Sequence, residues 1–231
     1  MEQARNKDQK CPVVLVLYTS GSMSGNPIDE LNKALVKLKE DILSDPILTQ
    51  RLEVGIVCFD DDARVERPID LITVDTNMPS LDVGGVTNVV SGINKAIEIV
   101  EERKQFYKTN GEQYYRPFIV LFTDGAPTNT ADEIEMLDQQ IQQMADNKKF
   151  VFMPFGVEGA DFQLLAKLAV QSTDERLKNQ AKAWKLKDVT KFAEVFAFVS
   201  SSISGAINQG GSQTAQLSSD VAQSVTFDLG S

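Results

Sequence analysis

Three serine hydroxyls lie close together in one short loop, directly after the first apolar run of the chain. Residues 13–27, VVLVLYTSGSMSGNP, place Ser20, Ser22 and Ser24 among glycines. Hydroxyl oxygens beside a glycine-containing backbone favour an oxygen-ligand site for a hard cation or for an anion. The preceding run is rich in valine and does not alternate, which predicts a strand buried on both faces. Open α/β sheets bind their ligands at the carboxyl ends of such strands.

Two later segments carry side chains that belong to the same chemistry. Thr87 follows Gly84 and Gly85 and comes just before a helical apolar stripe, so its hydroxyl could simply cap that helix. Asp124 comes two residues after the end of the apolar run FIVLF, and we expect it to project from the sheet edge beside the first strand. A carboxylate there is costly unless it is solvated, capped or bound to a metal. A site role for Thr87 is compatible with capping.

These segments resemble the metal-ion-dependent adhesion site of von Willebrand factor A domains. Residues 18–22, YTSGS, are similar to the DxSxS motif that begins the family's site. Residues 84–88, GGVTN, are similar to its threonine loop, and residues 122–125, FTDG, to its later aspartate. The resemblance covers roughly residues 10–205 and has the three motifs in the family's order. It implies the family's fold and an adhesion-type function.

The resemblance also implies a ligand set and a cofactor. In this chain the matching metal ligands are Ser20, Ser22, Thr87 and Asp124. The family's site would hold Mg²⁺, or Mn²⁺ or Ca²⁺, and a carboxylate from a protein partner would complete the coordination. The motif's first aspartate is replaced by Tyr18, whose phenol is neutral at pH 7 and a poor ligand for Mg²⁺.

Two interpretations of Tyr18 are open at this point. In the first, metal binding is lost or weakened, and the ring, much larger than an aspartate side chain, fills the metal position. In the second, Asp124, helped by Asp60, still holds a weak cation. Asp60 begins the run Asp60-Asp61-Asp62, which otherwise reads as a solvated turn.

Composition excludes several functions. The net charge of −10 argues against nucleic-acid binding and against docking on an anionic membrane. The absence of histidine removes the serine–histidine–aspartate triad and most catalytic zinc sites. The serine loop has no lysine for a nucleotide phosphate. The resemblance implies protein–protein binding and not catalysis, so we predict a non-enzymatic protein–protein interaction module. The alternatives are a metal-independent scaffold and a phosphate- or nucleotide-binding enzyme.

The N-terminal residues and the two cysteines indicate the cellular compartment of the protein. The first ten residues are polar, and no run approaches the roughly 20 apolar residues of a membrane span. The two cysteines, Cys11 and Cys58, fall at distant positions on the predicted neighbouring strands, so we expect no disulfide. Together these features predict a cytoplasmic protein.

Strands and amphipathic helices alternate along the chain. This pattern predicts an α/β, Rossmann-like, doubly wound fold with a mostly parallel central sheet and helices on both faces. We assign residues 1–10 to a polar leader, 11–205 to the domain and 206–231 to a flexible Gly/Ser/Gln-rich tail. The alternation near residue 225 allows a strand-adding peptide instead. The polar residues 101–115 are predicted to form a surface connection.

Within the family, three segments are most similar to bacterial TerY-like proteins, the tellurium-resistance-associated group. They are TSGSMSGNPIDELN, FDDDARV and TDGAPT. This resemblance implies a role in tellurite or stress response and a link to a protein kinase and phosphatase.

Overall fold

The computed structural model describes residues 8–85, 87–124, 127–157, 159–170, 182–188, 191–208 and 222–226. Strands and helices alternate, as predicted. The strands are β1 Cys11–Tyr18, β2 Leu52–Phe59, β3 Ala63–Leu71, β4 Phe118–Thr123, β5 Val151–Gly156, β6 Lys182–Leu186 and β7 Ala222–Thr226. The helices are α1 Asn26–Ser44, α2 Pro46–Arg51, α3 Val89–Asn110, α4 Ala131–Asp146, α5 Phe162–Leu168 and α6 Phe192–Asn208, and a short 3₁₀ helix covers Gly21–Met23.

The strands form one seven-stranded sheet in the order β3-β2-β1-β4-β5-β6-β7. The five central strands are parallel, whereas β3 and β7 run antiparallel to their neighbours at the two edges. The strand order reverses between β1 and β4, and such a reversal opens a crevice at the carboxyl ends of the two strands. The predicted fold class is therefore confirmed, and the sheet places the ends of β1 and β4 side by side.

Helices cover both faces of β1, all eight residues of which are buried. Val13 and Leu15 border a small cavity together with Leu38 of α1 and Phe196 of α6. Successive side chains of a strand point to opposite faces. The fully buried Val14 and Val16 therefore face the other layer, where α3 contacts β1. Burial on both faces explains why this strand lacks an alternating pattern.

The structure corrects several local predictions. Thr87 does not cap α3: the side chain of Asn88 does so, accepting from the backbone N–H of Ser91 at 3.0 Å. The predicted surface connection at 101–115 is wrong over residues 101–110, which continue α3. Tyr107 of that helix is fully buried, and its hydroxyl donates to Glu53 of β2. Such long-range partners are invisible in a local pattern.

The predicted tail also differs from the structure in two places. Helix α6 continues to Asn208, and residues 222–226 form β7, which is the strand-adding alternative. Backbone pairing with β6 stabilises this segment, although its composition resembles that of a linker. Residues 1–7, 209–221 and 227–231 lie outside the described residues.

The two cysteines are free and buried. Cys11 lies opposite Leu52 at the beginning of the β1–β2 pair, and Cys58 lies opposite Leu17 near its end. The expectation of no disulfide between them is confirmed. Among the helices described, none is both long enough and apolar enough to cross a membrane.

Candidate functional site

The loop that carries Thr87 is hydrogen-bonded both to the serine loop after β1 and to the loop after β4 that carries Asp124. The backbone N–H of Gly84 donates to the carbonyl of Thr19 at 2.8 Å. The backbone N–H of Thr128, in the loop after β4, donates to the carbonyl of Thr87 at 2.9 Å. These bonds are made by the main chain, so they position the three loops whatever side chain stands at residue 18.

A second contact between the loops is made by asparagine side chains. Asn129 donates from Nδ2 to Oδ1 of Asn88 at 3.0 Å, and its own Oδ1 accepts from the backbone N–H of Val90 at 3.3 Å. Asn129 thus ties the loop after β4 to the beginning of α3. This residue was not predicted from the sequence, because a single asparagine in a loop gives no signal of its partner.

The Tyr18 hydroxyl lies among the three hydroxyls that the sequence analysis assigned to a metal. It is 2.8 Å from Oγ1 of Thr87, and it accepts from Ser20 and, at 3.3 Å, from Ser22. The two serine Oγ atoms are themselves 3.3 Å apart. Ser20, Ser22 and Thr87 therefore converge as expected, but the atom that they converge on is the phenol oxygen.

The Tyr18 ring is held in this position by packing. Its side chain is buried and its centroid is 5.5 Å from that of Phe59, at an interplanar angle of 51°. Phe59 in turn packs closely against Gly92 of α3. A Cβ atom added to Gly92 would lie 2.7 Å from the Phe59 ring. The glycine thus allows Phe59, and through it Tyr18, to sit close to the beginning of α3.

Asp124 lies beside this cluster and carries the only carboxylate of the predicted ligand set. Burial raises the pKa of its carboxyl group, and hydrogen bonds from the Ser22 and Tyr18 hydroxyls oppose the shift. Its Oδ1 atom is buried with no hydrogen-bond partner among the described residues, and so is Oγ1 of Thr123. A cavity of about 10 Å³, close to the size of one water, is bordered by Tyr18, Thr123 and Asp124.

Asp60 is engaged elsewhere. Its Oδ2 forms an ion pair with Arg64 at 2.5 Å and lies 3.4 Å from the Thr19 hydroxyl, while its Oδ1 accepts from the backbone N–H of Asp61. Asp62 is exposed and accepts from the backbone N–H of Ala63. The acidic run therefore forms a turn, in which the Asp60 carboxylate is paired with the Arg64 guanidinium.

The residues present do not fit a divalent metal ion in this conformation. Mg²⁺ is held at about 2.0–2.1 Å from its oxygen ligands. A cation bound to Ser20, Ser22 and Thr87 together would have to replace the phenol oxygen of Tyr18, which lies between them. In the described part of the chain, no cluster of three or more histidine, cysteine, aspartate or glutamate side chains could hold one instead. Oδ1 of Asp124 is left without a hydrogen-bond partner among the described residues.

The chain belongs to the von Willebrand factor type A domain family, whose sequence profile matches residues 13–192. Domains of this family commonly mediate protein–protein interactions, and its members are generally not enzymes. Some members bind a metal ion at the adhesion-site motif.

Similar proteins include the inter-alpha-trypsin inhibitor heavy chain H3 of Mus musculus, 23% identical over 162 residues. The match covers 69% of this chain but 18% of that protein, so the chain spans less than a fifth of its length. A von Willebrand factor type A structure from Catenulispora acidiphila superposes with a TM-score of 0.60 at 18% identity, over 84% of this chain and 42% of that one.

Proximal thread matrix protein 1 from the mussel byssus superposes with a TM-score of 0.56 at 13% identity, over 83% of this chain and 47% of that one. The structure of that protein has a zinc-occupied adhesion-site motif. At these identities the structural likeness shows the fold.

Proposed function

We propose that this domain is a protein-interaction module whose adhesion site is closed by its own Tyr18. The single observation that carries the proposal is the position of the phenol oxygen, within hydrogen-bond reach of Ser20, Ser22 and Thr87. A neutral hydroxyl stands where the family's site would hold a cation. The domain therefore binds its protein partner without a metal ion at this edge of the sheet.

The charge of the closed site bears on the kind of partner. With a cation, the edge would attract a carboxylate from the partner. Without one, Asp124 and a chain of net charge −10 would repel it. The exposed residues of the edge, Gly21, Ser22 and Ser24, offer hydroxyl and backbone groups instead. We propose a partner surface that hydrogen-bonds to these groups and does not depend on a carboxylate.

The experiment is a calorimetric titration of Mg²⁺ and Mn²⁺ into the unaltered chain and into Tyr18→Asp. We expect no heat of binding from the unaltered chain at millimolar metal, because the phenol fills the site. Tyr18→Asp supplies the second carboxylate and frees the position, so binding is expected there. Tyr18→Phe is the matched control, since it removes the hydroxyl without adding a charge, and should bind no metal.

Tight binding of either ion by the unaltered chain would contradict the proposal. If Tyr18→Asp also fails to bind while its circular dichroism spectrum is native, the ligand set itself is wrong. Once a protein partner is identified, its affinity for this domain should be the same with and without a chelator of divalent metal ions.

The narrower assignment is a bacterial, cytoplasmic, TerY-like role in tellurite or stress response, linked to kinase and phosphatase signalling. It rests on the similarity of TSGSMSGNPIDELN, FDDDARV and TDGAPT to that group. Tellurite sensitivity of a deletion strain, compared with strains that carry the unaltered gene or Tyr18→Asp, tests it. Equal sensitivity in all three strains contradicts it.

A further inference from the structure

A groove of about 360 Å³ lies at the side of the molecule, between the edge strand β3 and helix α3. Its volume falls within the range of about 300–1,000 Å³ that is usual for ligand pockets. Apolar side chains of both elements line it: Val65, Pro68 and Ile69 from β3, and Ile99 and Phe106 from α3. None of these residues belongs to the closed site around Tyr18.

Strand β3 turns two of its apolar side chains towards α3. Val65 lies opposite Val57, and Val57 lies opposite Val16, which faces the α3 layer. Opposite residues of paired strands point to the same face of a sheet, so Val65 faces α3 as well. Ile69 packs against Gly55, where an added Cβ would lie 2.7 Å from Cγ1 of Ile69. The glycine therefore leaves room for Ile69 in the floor of the groove.

Two large apolar side chains of the groove remain open to solvent. Val65 is 40% exposed and Phe106 is 42% exposed. The other large apolar side chains that are exposed in the described ranges, Val36, Val74 and Met136, lie outside β3 and α3. Single exposed apolar residues are ordinary, whereas several that border one concave surface mark a place where a partner binds.

The charged side chains leave this groove acidic. Arg103 lines it, but its guanidinium is bound to both carboxylate oxygens of Glu53, so this pair carries no net charge. Glu102 also lines the groove and is exposed. Asp70, whose carboxylate is 3.9 Å from Arg103, is exposed too. Since the whole chain has a net charge of −10, the groove attracts a cationic partner and repels an anionic one.

The edge of β3 is poorly suited to pairing with a strand from another protein. Its register against β2 shifts between Val54 and Ile56 and again between Ile56 and Val57, and Pro68 has no N–H to donate. Bulges and proline are usual devices that prevent an edge strand from pairing. A helix needs no such backbone pairing, because it binds a groove through the apolar side chains of one face.

We propose that the groove between β3 and α3 is a docking site for a basic amphipathic helix of a protein partner. The apolar face of that helix packs between Val65 and Phe106, and its lysine or arginine side chains pair with Glu102 and Asp70. The inference goes beyond the closed adhesion site, because it gives the interaction module a second surface that does not depend on Tyr18.

The probe is a synthetic peptide of leucine and lysine, with the leucines on one helical face and a fluorescent label at one end. Fluorescence anisotropy measures its binding to the full chain. We expect saturable binding with one peptide per chain. The same peptide with glutamate in place of lysine should bind at least about tenfold more weakly, because Glu102 and Asp70 repel it.

Two variants locate the binding. Phe106→Ser removes the exposed ring, and Glu102→Lys reverses a charge of the groove; each should weaken binding of the lysine peptide about tenfold. The matched controls are Met136→Ser and Glu40→Lys, which make the same kinds of change at exposed positions of α4 and α1. Both controls should leave the affinity unchanged, and circular dichroism should be native for all four variants.

The proposal is overturned if the lysine peptide does not bind, if the glutamate peptide binds equally well, or if the controls weaken binding as much as the groove variants do. Self-association of the unaltered chain that Phe106→Ser abolishes, measured by light scattering, would assign the groove to a second copy instead. Tyr18→Asp should bind the peptide as the unaltered chain does, so this result and the metal titration can fail separately.

Discussion

Two buried tyrosine hydroxyls lie at opposite ends of the central strands, and their surroundings differ in charge. At the carboxyl ends, the Tyr18 hydroxyl bonds to the neutral hydroxyls of Ser20, Ser22 and Thr87. It also donates to the Asp124 carboxyl group, whose pKa is raised by burial. At the other end, Tyr107 donates to Glu53, a carboxylate that is 2% exposed. Arg103 binds the same carboxylate through two bonds, of 2.6 and 2.8 Å.

The polar site around Tyr107 is structural, whereas the one around Tyr18 is the candidate functional site. The charge of Glu53 is balanced by Arg103. Burial and the neighbouring carboxylate raise the pKa of Tyr107, so its hydroxyl stays protonated and donates the hydrogen bond. Its ring also stacks on Tyr114 at 4.9 Å. Around Tyr18, one carboxylate oxygen of Asp124 has no partner among the described residues. Because an unpaired buried oxygen costs free energy, it marks a place where the chain is not arranged for stability alone.

The largest effect is expected from Arg103→Met, which leaves Glu53 buried without its cation. Breaking a buried ion pair from one side typically costs about 3–5 kcal/mol, and we expect a loss of that size in the free energy of unfolding in urea. Lys95→Met on the same helix is the control, because it removes the exposed pair with Glu98 and should cost about 0–1 kcal/mol. Equal losses would show that Glu53 is not effectively buried.

A smaller difference should separate Tyr107→Phe from Tyr18→Phe. The first removes a hydrogen bond to a charged group and should cost about 2 kcal/mol. The second also removes a hydrogen bond to a carboxyl group, that of Asp124, but it should cost less, about 1 kcal/mol. Ser22 still donates to Asp124, and Ser20 and Ser22, 3.3 Å apart, can bond to each other. Both are measured by urea unfolding of otherwise identical chains. The reverse order would mean that the Tyr18 cluster is the better satisfied of the two.

The smallest effect concerns Asp124 and pH. Its pKa is raised in the folded state, so the folded protein holds this proton more tightly than the unfolded chain does. Stability therefore falls as pH rises from the usual value of 3.8 through the folded pKa, and the loss is complete above it. Asp124→Asn should raise the free energy of unfolding at pH 7 and leave it unchanged at pH 3.

Asp75→Asn, in an exposed turn, is the matched control and should leave the profile as it is. A stability gain for Asp124→Asn that is the same at both pH values would assign the effect to packing and not to charge.

Much of the fold could be predicted from local patterns. The apolar, non-alternating runs that became β1 and β4 predicted buried parallel strands, and helical stripes predicted the layers that cover them. Contacts between distant residues could not be predicted this way. The burial of Tyr107 depends on Glu53, fifty-four positions away, and the ion pair of Asp60 with Arg64 depends on the antiparallel return of β3.

The candidate site was predictable in composition but not in geometry. The sequence placed Ser20, Ser22, Thr87 and Asp124 at one edge because three motifs occur in the family's order. It left two interpretations of Tyr18 open, because ring orientation depends on Phe59 and Gly92, which lie on other elements. The lack of hydrogen-bond partners for the buried oxygens of Thr123 and Asp124 could be seen only in the packed structure.

The main-chain bonds that join the three loops affect how this site can change during evolution. Because Gly84 binds Thr19 and Thr128 binds Thr87 through backbone atoms, neither bond depends on the side chain at residue 18. Tyrosine and aspartate codons can differ by one base. A single nucleotide change can therefore exchange Tyr18 for aspartate, the residue in which the proposed closed site departs from the family's motif, while both main-chain bonds are kept.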